Sequence, residues 1–428
     1  MKKIFLLPIL FILFLTTAQA QPYATLPKQG FDLILMFDPS VKPEAIEQLK
    51  KQLKATEIAV IPFSQVRLWR KITGDQNVSY TASEARDTSD RIRTGGGTTS
   101  VGGGVWIQVN KPTGLTYKRD QFTPNYKKPL PVVPNCPKST NYQLSGSQIG
   151  KSSVKVALLD TGLDCNETGT PVQFNNPYLS PFIVDSKSFC EYQNARDSRI
   201  GHGTAVASVI VRTFWEANSR NCGIVPIKVL DSDGNGNMFN LLQGIDYALQ
   251  KDVDIINISL ISRDAVDYTE GMPIQRLLRQ AAAKNILVVS AAGNDSQNID
   301  LVENYVFPAC ANLQNQIVVG GSKCEESPWA MSNYGRKKVD IFAPSEGVAV
   351  LDLSGASWLY GQGTSLSAAI VTGVAAVLKT QQYNRNYATL KCAILNGASR
   401  YGTFTPFCNT GGVINAFGAF EKFSSCPK

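Results

Sequence analysis

The sequence predicts an α/β protein with a mostly parallel central sheet, helices on both of its faces, and a small α+β unit in front. Three observations carry that expectation: short apolar runs recur from Val154 onward, helical patterns alternate with them, and the composition changes just before they begin. The runs are "VKVALL", "IVPIKVL", "DIINISL", "ILVVSAA" and "QIVVGG", and the helical patterns fall near 203–214, 238–250, 273–284 and 365–380. Near-continuous apolar strands belong to parallel sheets covered on both faces. Such sheets build their sites in the loops after the carboxyl ends of the strands. The residues that follow each run are therefore the ones to inspect.

Taken in order, residues 1–20 read as an export signal, with Lys2 and Lys3, an apolar run from Ile4 to Leu15, and the small-x-small site Ala18-Gln-Ala20. The run is short for a membrane span, so the expectation is a secreted protein, extracellular or periplasmic, with no stable membrane anchor. Residues 21–110 form an extension. In it "FDLILMF" at 31–37 reads as a strand, and a helix follows from Pro43 with Ile46, Leu49 and Leu53 on one stripe. Residues 66–73 and 105–109 read as further strands, and the "GGGTTSVGGG" between them lacks the Lys-Ser/Thr ending of a phosphate loop. Residues 111–150, rich in Pro, Lys, Asn and Ser, read as an exposed basic linker. Residues 151–428 make the main domain.

The formal net charge is +8, but residues 21–150 carry +7 while 151–428 carry −1. The basic excess lies in the extension and linker, and a nucleic-acid partner is excluded on that ground. Nine cysteines in an exported chain predict disulfides, with the pairing left open. A cut between Cys136 and Cys165 leaves an even eight. No C-x-x-C pair occurs, and the single histidine, His202, removes the usual Cys/His zinc patterns.

Four loci could carry chemistry, and each alone has a bland alternative. Asp160 ends the first run as Asp160-Thr-Gly162, where it could cap the next turn. A lone DTG in an α/β chain does not support an aspartic-peptidase reading, which needs two carboxylates. His202 sits in "GHGT" at a helix start, between glycines that leave room for a partner to approach the ring. Asn294 follows "ILVVSAAG" as either a turn residue or an oxyanion donor. Ser365, in "GTS" before an apolar helix, could be a helix cap.

Together, "VALLDTGLD", "GHGTAVA", "AAGN" and "GTSLSAAIVTG", in that order, resemble the subtilisin-like serine peptidase family over about residues 145–425. The chain order Asp, His, Ser is that family's order. The resemblance implies Ser365 as nucleophile, His202 as general base and then acid, and Asp160 as the carboxylate that orients the imidazole. It places Asn294 and the Ser365 N–H in the oxyanion hole. It further implies that Gly234, Asn235 and Gly236 pair with an extended peptide substrate, with Ser259, Leu260 and Ile261 as the opposing edge. Ala292 and Gly293 belong to the same cleft, and Phe307, Pro308 and Ala309 to the pocket floor.

The resemblance implies no organic cofactor. It allows calcium, but no ligand set is identifiable: Asp231-Ser-Asp233-Gly-Asn235 is not an EF-hand, because its twelfth position is Leu242. Residues 21–110 resemble the family's inhibitory prodomain at their β-α-β start, which implies a zymogen cut within 111–150. Two departures stand out. The fourth and fifth positions after the serine are Ala369 and Ile370 in place of the usual Pro and His, which leaves a helix favoured. Ser259-Leu260-Ile261-Ser262 replaces a Ser-x-Gly-Gly edge, so Ile261 narrows the pocket mouth and favours small residues before the cut. The activity expected is that of a secreted serine endopeptidase. A specialised processing protease and a catalytically silent peptide-binding homologue are the alternatives.

Overall fold

The computed structural model describes residues 30–37, 41–61, 64, 66–72, 105–110 and 115–116, and 154–427 except 166–173, 191–194, 198–199, 220, 263–272, 324–326, 355–356 and 383–385. The expected signal at 1–20 and all of the linker but Leu115 and Thr116 lie outside the described residues, as do Cys136 and Cys324.

The N-terminal unit runs β1 (Gly30–Phe37), α1 (Pro43–Gln52), β2 (Ala55–Ile61), β3 (Val66–Ile72) and β4 (Val105–Asn110), and a two-residue β5 (Leu115–Thr116) follows. Its four strands make an antiparallel sheet in the order β2-β3-β1-β4. Proline at the first turn of α1 suits a position whose N–H has no helical partner. Successive strand side chains take opposite faces, and β1 divides accordingly. Leu33, Leu35 and Phe37 pack with Ile46, Leu49 and Trp69, while Ile34 and Met36 join a core that continues into the main domain. The sequence reading lacks β2, whose period is broken by an irregularity between Glu57 and Ala59.

The main domain continues with β6 (Val154–Asp160), β7 (Lys187–Ser188), α2 (His202–Glu216), β8 (Cys222–Lys228), β9 (Asn235–Gly236), α3 (Met238–Gln250), β10 (Ile255–Ile258), α4 (Pro273–Ala283) and β11 (Leu287–Ala291). Then come β12 (Gln316–Lys323), β13 (Ser327–Pro328), β14 (Ile341–Pro344), β15 (Val348–Leu351), β16 (Trp358–Gly361), α5 (Thr364–Gln381), α6 (Tyr387–Asn396), β17 (Ser399–Arg400), β18 (Gly412–Val413) and α7 (Ala416–Phe423). The ten-stranded sheet is ordered β17-β18-β14-β12-β11-β10-β6-β8-β7, with β13 on β12. All its pairings are parallel except β17 with β18 and β13 with β12. The expected α/β class, with its mostly parallel sheet, is what the structure has.

One face of the sheet is covered by α2 and α5, the other by α3 and α4 together with the inner face of the N-terminal sheet. Helix α5 is buried from Thr364 through Lys379. It is apolar nearly all round, as a helix enclosed by protein must be. It lies hard against α2, where Gly373 leaves no room for a Cβ beside Thr213.

The cysteine arithmetic is corrected. Cys392 and Cys426 form a disulfide, whereas Cys165, Cys190, Cys222, Cys310 and Cys408 stand outside disulfides, most of them buried on separate elements. Parity carries no information when thiols are used as small apolar side chains.

Candidate active site

Strands β6, β10 and β11 are neighbours in the sheet, and their carboxyl ends deliver Asp160, Ser259 and the Ala292–Asn294 turn to one edge. His202 and Ser365 arrive there at the starts of α2 and α5.

The best-defined contact is between His202 and Asp160. The ring Nδ1 lies 2.7 Å from Asp160 Oδ1, with the two side chains 2% and 1% exposed. A carboxylate only accepts, so Nδ1 carries the hydrogen and Nε2 is left as the basic nitrogen. Asp160 Oδ1 also accepts the Thr161 N–H at 2.7 Å. Asp160 Oδ2 is buried with no hydrogen-bond partner, a cost that folded chains carry mainly where the charge is used.

The flanking glycines serve a purpose other than the expected one. A Cβ on Gly203 would strike the Gly162 carbonyl, and one on Gly201, at φ +71°, would meet Leu353. The space beside the ring admits the protein's own loops, so substrate access does not explain the glycines.

Ser365 is the second residue of α5, and Gly363 holds the cap position. The helix-cap alternative for Ser365 is thereby removed. Its hydroxyl donates to the Ser259 carbonyl at 3.1 Å, and the Ser259 hydroxyl donates to Asn257 Oδ1 and to the Ser365 carbonyl at 2.9 and 3.1 Å. The dipole of this helix start favours negative charge nearby.

Asn294 is held by its acceptor end: Oδ1 receives the Thr364 N–H at 2.9 Å and the Thr364 hydroxyl at 2.8 Å. Those two bonds fix which end is oxygen, and the NH₂ is left as the donor end of the amide. The turn itself rests on Asn333, a residue the sequence reading missed. Its Oδ1 accepts from Asp295 and Gln297, both at 3.0 Å, and its Nδ2 donates to Ala292 O at 2.9 Å. Gly293, at φ +99°, lies so close to Asn333 Nδ2 that no side chain fits.

The cleft residues fall into two groups. Ser259, Leu260 and Ile261 extend from β10 to Ser262, which pairs with Phe307 through N–H···O bonds of 2.9 and 2.8 Å, and the Phe307–Pro308 peptide is cis. Ile261 Cδ1 reaches to within 3.4 Å of where a Gly293 Cβ would stand, so the isoleucine spans from one wall toward the other. Ala309 lies beneath, buried. On the opposite rim, a turn at Gly234 (φ +81°) leads into β9, Asn235–Gly236. That strand already has a partner: β5 lies antiparallel on it, Leu115 against Gly236 and Thr116 against Asn235.

Two further residues lay beyond sequence reasoning. Lys228, wholly buried, donates to the Thr161 carbonyl at 2.6 Å, and buried Asp197 accepts from the Thr161 hydroxyl. Nearby, burial pushes the Cys165 thiol up to about 12, which leaves it protonated and unreactive at neutral pH. Among the described residues no group of three or more His, Cys, Asp and Glu side chains is arranged to hold a metal ion, and Asp231 Oδ1 is engaged by the N–H groups of Asp233 and Asn235.

A carboxylate-oriented imidazole, a serine at a buried helix start and an amide tethered by its oxygen sit at the carboxyl-end side of a parallel α/β sheet. Residues 151–419 match the family described as the subtilase family, peptidase S8, and the chain belongs to it. It is 32% identical over 237 residues to an intracellular serine protease of Paenibacillus polymyxa, covering 53% of this chain and 66% of that protein. It is 28% identical over 287 residues to thermitase of Thermoactinomyces vulgaris, covering 63% and 89%. With the Paenibacillus protein and with the major intracellular serine protease of Bacillus subtilis, the match spans 66% and 69% of the relative's length. Among solved structures, the epidermin leader peptide processing serine protease of Staphylococcus aureus has the same fold, with a TM-score of 0.66 and 17% identity over 92% of this chain and 99% of that one. A lanthipeptide protease matches with a TM-score of 0.52 and 22% identity, over 63% and 87%.

Proposed function

We propose that this chain is an exported serine endopeptidase made as a zymogen, cutting peptide bonds through Asp160, His202 and Ser365. The observation that carries the reading is the buried 2.7 Å contact between the single histidine and a strand-end carboxylate, beside helix α5, whose second residue is Ser365. In the first step the Ser365 oxygen bonds to the substrate carbonyl carbon while His202 Nε2 takes the hydroxyl proton. The oxyanion that forms meets Asn294 Nδ2 and the Ser365 N–H. Collapse breaks the C–N bond, His202 protonates the departing amine, and an acyl-enzyme remains. Water then attacks with His202 again as base, which frees Ser365. Asp160 keeps the imidazole oriented throughout.

The substrates are proteins or peptides bound as extended strands along β9. The zymogen reading is supported by β5, which lies on the substrate's edge of the cleft, and by the N-terminal sheet packed over α3 and α4. Self-cleavage then falls after Thr116, within 117–150. Export rests on residues 1–20. A narrower processing role is favoured by Ile261, which restricts the residue before the cut to small side chains.

A fluorophosphonate probe tests the enzyme reading. The wild type is expected to be labelled and Ser365→Ala not; a folded wild type that takes no label overturns it in favour of a silent peptide-binding homologue. Intact masses of the same two chains locate the cut.

A further inference from the structure

We infer that Asp197 is a positioning residue for the imidazole, acting through Thr161 to fix the loop of Asp160 against the turn of His202. The inference rests on the catalytic reading above and adds to it a group that touches neither substrate nor reacting atoms. Thr161 follows Asp160 directly, and every polar atom it has is used: N–H to Asp160 Oδ1 at 2.7 Å, hydroxyl to Asp197 Oδ2, Oγ1 from the Gly203 N–H at 3.0 Å, and carbonyl from Lys228 Nζ at 2.6 Å. Asp197 in turn accepts the Gly201 N–H at 2.9 Å and the Ile200 N–H at 3.2 Å. The backbone amides on both sides of His202 are therefore tied, directly or through one hydroxyl, to one buried carboxylate.

The network is more than loop closure. The two loops already pair through backbone bonds, Leu163 N to Ala195 O at 2.7 Å and Asp197 N to Leu163 O at 2.9 Å. The side-chain bonds go instead to the residues beside Asp160 and His202. Thr161, Asp197 and Lys228 are each at most 1% exposed, so these bonds are not diluted by water. Asp160 on β6 and Asp197 are negative and Lys228 on β8 is positive, so a protonated His202 makes the group neutral; Asp164 and Arg196 are the nearest charges on the same loops.

The test uses chains matured in trans by tagged wild-type enzyme, with kcat and KM followed over pH. Asp197→Ala and the near-isosteric Thr161→Val are expected to lose about 10²-fold in kcat, the scale of a small misplacement, with KM unmoved. Thr161→Ser, which keeps the hydroxyl, retains wild-type kcat, and Asp197→Asn, which keeps an acceptor, recovers part of the loss. In the full chain carrying Ser365→Ala, NMR of the only histidine should show the imidazole titrating at lower pH when Asp197→Ala is added. Folded Asp197→Ala and Thr161→Val chains with wild-type kcat and an unmoved titration would overturn the inference. So would Asp197→Asn as impaired as Asp197→Ala, since charge alone would then account for the effect. A wild type that cuts no peptide defeats the enzyme reading instead, and the histidine titration still reports the coupling.

Discussion

On the proposed reading Asn294 is an oxyanion donor, and its other end is tied down. With Oδ1 held by both donors of Thr364, its amide cannot turn its oxygen toward a developing negative charge. Asn294→Ala should lower kcat by about 10²–10³-fold with little change in KM, a range that comes from a subtilase and so is not independent of the family. Stopped peptide assays at saturating substrate check it. Ile261 is tested by substrate choice: Ile261→Gly opens the space over Gly293 and should raise kcat/KM for Phe or Tyr before the cut by at least about 10-fold. A wild-type peptide-library profile already dominated by Phe, Tyr or Arg would refute the narrowing. At this scale the sequence offered Asp160, His202, Asn294 and Ser365 as candidates, because each sits in a short local pattern. Asp197, Thr161, Lys228 and Asn333 were invisible, because their partners are brought close by the fold and several of their bonds run to backbone, which carries no residue signature.

Among elements, the pair α2 and α5 sets where the two helix starts meet. Gly373→Ala would force a methyl into Thr213 and should destabilise the fold by about 1–3 kcal/mol, read by denaturant unfolding of the Ser365→Ala chain. The contact between α3 and the N-terminal unit carries a proton-sensitive group. Asp246 lies buried against Ser64, with Gln250 Nε2 donating to Oδ2 at 2.6 Å. Burial raises its carboxyl above the ordinary carboxylate range. The docked form therefore binds more protons between the ordinary and the raised pKa, and docking weakens as pH rises through that window. Affinity of the separated N-terminal unit for the Ser365→Ala domain should show this slope, and Asp246→Asn should flatten it. The central parallel strands were legible as apolar runs longer than their flanking turns. Strand β2, the β15–β16 hairpin and helices α6 and α7 were not, because their pattern is short, irregular or set by what they pack on.

For the molecule as a whole, the chain's end is fastened by Cys392–Cys426 across 34 residues, which closes α6, β17, β18 and α7 into one loop. On the chain-entropy account such a loop contributes about 3–4 kcal/mol. Cys392→Ser should lower the unfolding free energy by that order, while labelling of the buried thiols Cys165, Cys222 and Cys310 in the folded protein stays slow. On the proposed zymogen reading, β5 is a competitor built into the molecule. While residues 115–116 remain covalently joined to the cleft they occupy, they act at an effective concentration in about the millimolar range, whatever the dilution of the protein. Once the chain is cut behind them, that contact, together with the packing of the N-terminal sheet on α3 and α4, becomes an encounter between separate molecules and weakens as they disperse. A single hydrolysed bond would thus exchange a concentration-independent lock for one that dilution opens.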